Sequence, residues 1–142
     1  MSNIDWFNES ILIKPIAKQI EVHKKSINYL VWGDQGKPGL FFIHGYSSHA
    51  HWWDFVAPAF IDNYCVVAID LSGCGDSDHR DEYSQEIFAD EIKSVCDDRG
   101  DHDDEETDVI EQVCVCVYIH TRAYYVCMHA HTRMHTCECM LI

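Results

Sequence analysis

The chain of 142 residues lacks several features that define whole classes of protein. No apolar run approaches the roughly 20 residues of a membrane-spanning helix, so the sequence predicts no membrane partner. The opening residues MSNIDWFNES contain no basic segment followed by an apolar run, so no export signal is predicted. Lys and Arg number only 10 against 24 Asp and Glu. The net charge of −14 disfavours a nucleic-acid partner, because a negative surface repels phosphate groups.

Cysteine is abundant, with eight in the chain. Such a number would suit the disulfide framework of a secreted protein. Because no export signal is predicted, the sequence instead favours a reducing compartment with free thiols, and we expect a cytoplasmic protein.

Acidic residues are concentrated in one segment, which divides the chain into three parts. Residues 97–108 contain eight acids and one base, Arg99, a composition typical of a solvated segment. A calcium loop is the alternative, but the central glycine and the closing glutamate of that site are missing. We predict a folded part at residues 1–96, an acidic connector at 97–112 and a low-complexity tail at 113–142.

Apolar patterning in the first part predicts an opening hairpin and two buried strands. Two runs rich in β-branched and aromatic residues, 17–23 and 26–32, predict the hairpin, with Lys24-Lys25 between them. Residues 40–43 and 65–69 are continuous apolar runs, typical of strands that are buried on both faces.

Helices are predicted after each buried strand. After the first strand, helical spacing is shown by Trp52, Phe55, Val56, Ala59 and Phe60, with Pro58 limiting regular continuation. After the second strand, Ser84 is a candidate N-cap for a helix with the apolar stripe Phe88, Ile92, Val95 and Cys96. The fold class is therefore α/β, with an N-terminal hairpin and parallel strands covered by helices.

Two loops follow the carboxyl ends of the buried strands, where open α/β sheets place their ligand sites. The first begins HGYSS at His44, and the second begins DLSGCGDS at Asp70. A strand-HG-loop-W segment followed by strand-D-L-x-G-x-G-x-S resembles the N-terminal part of α/β-hydrolase-fold enzymes, over roughly residues 17–96. The resemblance implies an incomplete α/β-hydrolase sheet. It also implies hydrolysis of a small ester-like or related substrate through a nucleophile and an oxyanion hole.

The resemblance assigns roles to individual residues of the two loops. Tyr46 corresponds to the residue whose backbone N–H contributes to the oxyanion hole, and Gly45 lets the chain turn close to the substrate. The other matching residues are implied to be structural: His44, Asp70, Gly73, Gly75 and Ser77. The partner that these roles imply is a small-molecule substrate, and no cofactor is expected.

The nucleophile that this family needs is missing. It stands in a G-x-S-x-G turn after the next strand, and the chain contains no such motif. Ser47, Ser48, Ser72 and Ser77 lie in other loops, so no catalytic residue is assigned. The alternative to an enzyme is therefore a non-catalytic, truncated or frameshifted hydrolase fragment.

The tail has an alternating pattern between Val113 and Cys137. One set of residues, Val, Ile, Met, Thr and Ala, alternates with a second set, Cys, Tyr, His and Arg, with one slip at Tyr124-Tyr125. Purine-pyrimidine-purine and pyrimidine-purine-pyrimidine codons encode these two sets, so we interpret the tail as translated repeat DNA. The same alternation is also typical of a half-buried strand, which could occupy the position of the nucleophile strand.

Candidate metal and nucleotide motifs are incomplete. The tail has Cys-x-Cys and His-x-His spacings but no paired C-x-x-C, and His49 and His51 have no third ligand nearby in sequence. The segment Gly73-Cys74-Gly75 lacks the third glycine of a dinucleotide-binding loop. We therefore expect neither a metal nor a cofactor.

Overall fold

The computed structural model describes residues 5–98, 112–119 and 122–128 of the chain. Its strands are β1 (Ile16–Val22), β2 (Lys25–Trp32), β3 (Gly39–Ile43), β4 (Cys65–Ile69), β5 (Gln112–Ile119) and β6 (Arg122–Met128). Its α-helices are α1 (Asp5–Ser10) and α2 (Gln85–Asp98). The strands form one six-stranded sheet in the order β1-β2-β4-β3-β5-β6. No helix within the described ranges is long and apolar enough to span a bilayer.

β1 and β2 form the predicted antiparallel hairpin, but its turn is displaced by one residue. Val22 pairs with Lys25, so His23 and Lys24 alone connect the strands. Their φ angles of 50° and 62° are both left-handed, as a two-residue type I′ turn requires. The prediction of Lys24-Lys25 as the separator was wrong, because Lys25 already belongs to the second strand.

β3 and β4 are the buried pair that the apolar runs predicted. Every residue of both strands is buried. The strands are parallel, with a register that runs from Gly39↔Cys65 to Ile43↔Ile69. Because both strands end at the same edge of the sheet, the loops that begin at His44 and Asp70 leave that edge side by side.

Side chains alternate between the two faces of the sheet and form two hydrophobic clusters. The cluster on the α2 face contains Ile27, Tyr29, Val31, Phe41, Ile43, Val67, Ile69 and Val95. The cluster on the opposite face contains Leu30, Trp32, Leu40, Phe42, Val66, Ala68, Trp53 and Ala57. β3 and β4 are therefore covered on both sides, as expected for strands with continuous apolar sequences.

α2 begins as its capping residue predicts. The Ser84 hydroxyl accepts a hydrogen bond from the Ile87 N–H at 3.2 Å, which confirms Ser84 as the N-cap. Val95 is fully buried, and Ile92 and Cys96 pack against the same cluster. The predicted apolar stripe therefore attaches the helix to the sheet.

The segment after β3 differs from the predicted α-helix. It forms two 3₁₀ helices, Ala50–Trp53 and Ala57–Phe60. Pro58 stands in the first turn of the second one and has no N–H to continue a longer helix. Trp53 is buried and stacks on Phe42 at 4.6 Å between ring centroids, whereas Trp52 is 61% exposed. The core residue of this segment is therefore Trp53, and the prediction of Trp52 as part of the apolar stripe was wrong.

β5 extends the parallel part of the sheet beyond β3. Its register runs from Leu40↔Gln112 to Ile43↔Val115, and β6 pairs antiparallel with its other edge. The backbone at the start of the tail therefore forms a strand, which was the alternative interpretation of the alternating pattern. Most of the predicted acidic connector, and the tail beyond Met128, lie outside the described residues.

Candidate functional site

The loop after β3 is held by the imidazole of His44, which is buried. Its Nδ1 lies 2.8 Å from the Gly45 carbonyl oxygen, and its Nε2 lies 3.1 Å from the Leu71 backbone nitrogen. A backbone N–H can only donate, so Nε2 accepts this bond and the proton of the neutral ring is on Nδ1. The ring therefore connects the loop after β3 to the loop after β4.

The neutral form of His44 is favoured by its surroundings. Burial lowers the pKa of His44, and the positive charge of His49 acts in the same direction. The Gly45 carbonyl and the Asp70 carboxylate oppose this lowering but do not reverse it. His44 therefore stays uncharged at neutral pH and keeps Nε2 as an acceptor.

The residues after His44 form a tight turn at the edge of the sheet. The Ser48 N–H donates to the Gly45 carbonyl at 3.3 Å, and Ser47 has a left-handed φ of 55°. This is the arrangement of a type II turn, in which Tyr46 is the second residue. The Tyr46 side chain is 88% exposed, and its backbone N–H makes no hydrogen bond within the described part of the chain. The Tyr46 N–H is therefore available to a ligand.

Asp70 organises the loop after β4 from a fully buried position. Its Oδ1 accepts from the Ala50 N–H at 2.5 Å, and its Oδ2 accepts from the Asn28 side-chain amide at 2.8 Å and the Asp76 N–H at 3.0 Å. The Ser77 hydroxyl donates to the Asp70 carbonyl oxygen at 2.6 Å. These bonds compensate the burial of the carboxylate and join both loops to β2.

Two glycines make room for this network. Gly75 has a left-handed φ of 51°, and a Cβ there would lie 2.3 Å from the Asp70 carboxyl carbon. Gly73 has a φ of 81°, and a Cβ there would lie 2.6 Å from the Tyr83 hydroxyl oxygen. Residues with a side chain rarely adopt these φ angles, and a Cβ would collide with Asp70 at one position and with Tyr83 at the other. The second loop therefore requires glycine at both positions.

A buried ion pair that the sequence reasoning missed supports the same loop. Glu91 is completely buried in α2, and its Oε1 accepts from Arg80 Nε at 2.8 Å. Its Oε2 accepts from the Ser72 N–H at 3.0 Å, and Arg80 Nη2 donates to the Val22 carbonyl at 2.8 Å. One signal pointed to this role, because Glu91 stands four residues before Val95 on the buried face of the helix.

The loop after β4 does not activate Cys74, Ser77 or Ser72 as a nucleophile. Burial raises the pKa of the Cys74 thiol, and the charges of Asp70 and Glu91 add to the effect, so the reactive thiolate is disfavoured. The Ser77 hydroxyl is committed to the Asp70 carbonyl. The buried Ser72 hydroxyl has no hydrogen-bond partner among the described residues, and therefore no base there.

The histidines of the first loop do not assemble a metal site. The rings of His49 and His51 are 6.1 Å apart between centroids, and His51 Nδ1 instead contacts Asp54 Oδ2 at 3.0 Å. Across the described ranges, no group of three or more His, Cys, Asp or Glu residues could hold a metal ion.

A sequence profile of the alpha/beta hydrolase family matches residues 40–129. Human epoxide hydrolase 4 is 33% identical over 76 residues, which cover 51% of this chain and 21% of that protein. Epoxide hydrolase 1 of Caenorhabditis elegans is 34% identical over 87 residues, which cover 59% and 22%. Fluoroacetate dehalogenase of Burkholderia sp is 38% identical over 58 residues, which cover 41% and 18%. The chain spans about a fifth of the length of these relatives.

Solved structures show the same architecture. The thioesterase domain from the curacin biosynthetic pathway has a TM-score of 0.58 and 30% identity, over 62% of this chain and 32% of that domain. Epoxide hydrolase A from Mycobacterium thermoresistibile has a TM-score of 0.59 over 73% of this chain and 31% of its own. The identity to the second structure is 22%, so that comparison shows the fold alone.

Proposed function

Because the chain belongs to the α/β-hydrolase family, we propose that the loops after β3 and β4 form the oxyanion-binding half of a hydrolase. Its substrate is a small ester-like or related electrophilic molecule. Gly45 and Tyr46 form the oxyanion hole, while His44, Asp70 and the second loop hold them in place. We also propose that the protein is located in the cytoplasm.

The observation that carries the proposal is the unpaired backbone N–H of Tyr46. The turn that presents it is held at the Gly45 carbonyl by two donors, His44 Nδ1–H and Ser48 N–H. Negative charge develops on the substrate oxygen during acyl transfer, and a donor fixed beforehand stabilises that charge without reorganising. In enzymes with such a site, one donor contributes about 10²- to 10³-fold to kcat.

The relatives support a wider substrate class than esters. Two of them are named epoxide hydrolases, and a third is named a fluoroacetate dehalogenase. Opening an epoxide, like attack on an ester carbonyl, transfers negative charge to an oxygen of the substrate. We therefore include small epoxides among the substrates proposed for the complete site.

A second candidate is a non-catalytic fragment, and the end of β5 favours it. β5 lies next to β3 and parallel to it, the sheet position after which the family places its nucleophile turn. Ile119 pairs with Arg122 of β6, so two residues connect the strands. Two residues between paired positions are too few for a G-x-S-x-G turn that leads into a helix.

Turnover separates the two candidates. The purified 142-residue chain would be assayed with p-nitrophenyl acetate and with styrene oxide, beside the variants Tyr46→Pro and Tyr46→Ala. The fragment candidate predicts the protein-free rate for all three proteins. Hydrolysis that falls at least about tenfold in Tyr46→Pro, but persists in Tyr46→Ala, would reveal a nucleophile in this chain and overturn that candidate.

Anion binding tests the oxyanion proposal independently of turnover. Tyr46→Pro removes the N–H at a turn position that favours proline, whereas Tyr46→Ala removes only the exposed side chain. Methanesulfonate, a tetrahedral anion, would be titrated by NMR at pH 7.5. A hydrogen bond to a charged group contributes about 1.5–3 kcal/mol, so we expect at least about tenfold weaker binding in Tyr46→Pro only. Equal affinity in both variants would reject Tyr46 as the donor.

A further inference from the structure

The geometry points to His44 as a positioning residue that orients the Tyr46 N–H only while its imidazole is neutral. Anion binding at the turn is consequently weakened by acid. This inference rests on the proposed oxyanion role of Tyr46 and adds that anion binding at that site depends on pH. It begins from the two hydrogen bonds of one buried ring.

His44 acts on Tyr46 through a shared peptide group. The Gly45 carbonyl and the Tyr46 N–H belong to the same planar unit, and the described residues contain no cis peptide bond. In a trans peptide the N–H points opposite to the C=O. Fixing the Gly45 oxygen at 2.8 Å from His44 Nδ1 therefore also fixes the direction of the Tyr46 N–H.

A proton on Nε2 removes one of the two attachments of the ring. Nε2 is the acceptor for the Leu71 N–H at 3.1 Å, and a protonated Nε2 is itself a donor. Two donors would then face each other, so the ring or the second loop has to move. Movement of the ring takes away the Nδ1–H donor and leaves the Gly45 carbonyl to the Ser48 N–H, a bond of 3.3 Å, so the Tyr46 N–H is held less firmly in its direction.

The charged groups that act on His44 set the pH range of this release. The Asp70 carboxylate, from the end of β4, favours the protonated ring, and His49, from the same loop, disfavours it. Burial is the largest influence and lowers the pKa of His44 below its ordinary value of 6.5. The neutral ring therefore predominates above pH 6.5, and the attachment is lost as the pH falls through the lower pKa of the folded protein.

The sign of the pH dependence distinguishes positioning from simple charge attraction. A protonated histidine near an anion site should tighten anion binding, because opposite charges attract. Loss of the oriented N–H should weaken it instead. Methanesulfonate keeps the same charge throughout this pH range, so its affinity reports the protein alone.

The experiment uses the whole chain and two NMR measurements between pH 8 and pH 4.5. Long-range ¹H–¹⁵N spectra of the imidazole should show a protonated Nδ1 and an unprotonated Nε2 at pH 8. The affinity for methanesulfonate should fall at least fivefold as His44 takes up its proton, with the same midpoint. Affinity that stays constant or rises would overturn the inference, as would a ring protonated on Nε2 at pH 8.

Variants assign the effect to His44. His44→Asn keeps a donor near the position of Nδ1, but it cannot ionise and offers no acceptor to the Leu71 N–H, so binding should be weaker than in the wild type at pH 8 and should not change with pH. His44→Gln places its amide near the position of Nε2 instead, and binding should be weak at every pH. His49→Gln, at an exposed position in the same loop, should leave the pH-dependent fall intact.

The two proposals fail in different ways. Methanesulfonate could perturb the Tyr46 amide signal at pH 8 while its affinity stays the same as His44 is protonated. In that case the oxyanion role stands and the inference is overturned. If no anion binds at any pH although the ring has the expected tautomer, the oxyanion role itself is wrong and the inference falls with it.

Discussion

Replacing Gly75 by alanine tests the packing around the buried Asp70 carboxylate. The new Cβ would lie 2.3 Å from the Asp70 carboxyl carbon, at a left-handed φ of 51°. The left-handed conformation costs about 1–2 kcal/mol for a residue other than glycine. Displacing the carboxylate breaks at least one hydrogen bond to a charged group, which costs about 1.5–3 kcal/mol. We therefore expect Gly75→Ala to lower the free energy of unfolding by about 2.5–5 kcal/mol.

Gly36→Ala is the matched control for this substitution. A Cβ at Gly36 meets only the Asp34 Oδ1 at 3.5 Å, and its φ is not left-handed, so its effect should stay within about 0.5 kcal/mol. Urea unfolding followed by tryptophan fluorescence measures both variants, and the Gly75→Ala midpoint should fall by more than about 1 M. Equal midpoints for the two variants would refute the argument that Asp70 leaves no space at position 75.

Two further predictions concern groups buried under α2. Glu91→Gln leaves the Arg80 charge buried without its partner and should lower the free energy of unfolding by about 3 kcal/mol in urea, whereas the exposed Glu86→Gln should lower it much less; similar losses would contradict a structural ion pair. Burial, with Asp98 beside it, raises the pKa of Tyr29 above its ordinary 10.0. The contribution of the neutral Tyr29 hydroxyl to stability is present below pH 10 and is lost at higher pH. From pH 9.5 to 11 the urea midpoint should therefore fall less steeply in Tyr29→Phe than in the wild type. Equal falls of the midpoint with pH in the two proteins would contradict the prediction.

The strands β3 and β4 were predictable because burial determines which residue types they contain. β3 and β4 are buried on both faces, so every position is apolar or small and the run has no helical period. The segment after β3 was not predictable in the same way. Apolar residues recur every three or four positions in both α- and 3₁₀-helical turns, and Pro58 decides locally against a continuous α-helix.

The polar framework of the site was only partly predictable. The resemblance named Asp70, Gly75 and Ser77 as structural, but residue types alone do not say which donors a buried carboxylate will meet. Glu91 was missed because its partner Arg80 stands in the preceding loop, and only folding brings the two together. The tautomer of His44 likewise depends on the Leu71 N–H, which carries no sequence signal.

The most direct test of the oxyanion assignment is a residue-resolved amide map of the wild-type chain. Methanesulfonate would be titrated at pH 7.5 while backbone ¹H–¹⁵N signals are followed. We expect the Tyr46 amide proton to shift downfield and saturate, while the Ser48 amide, already bonded to the Gly45 carbonyl, moves much less. An unchanged Tyr46 signal, or shifts spread evenly over the exposed amides, would contradict the claim that this turn presents an oxyanion donor.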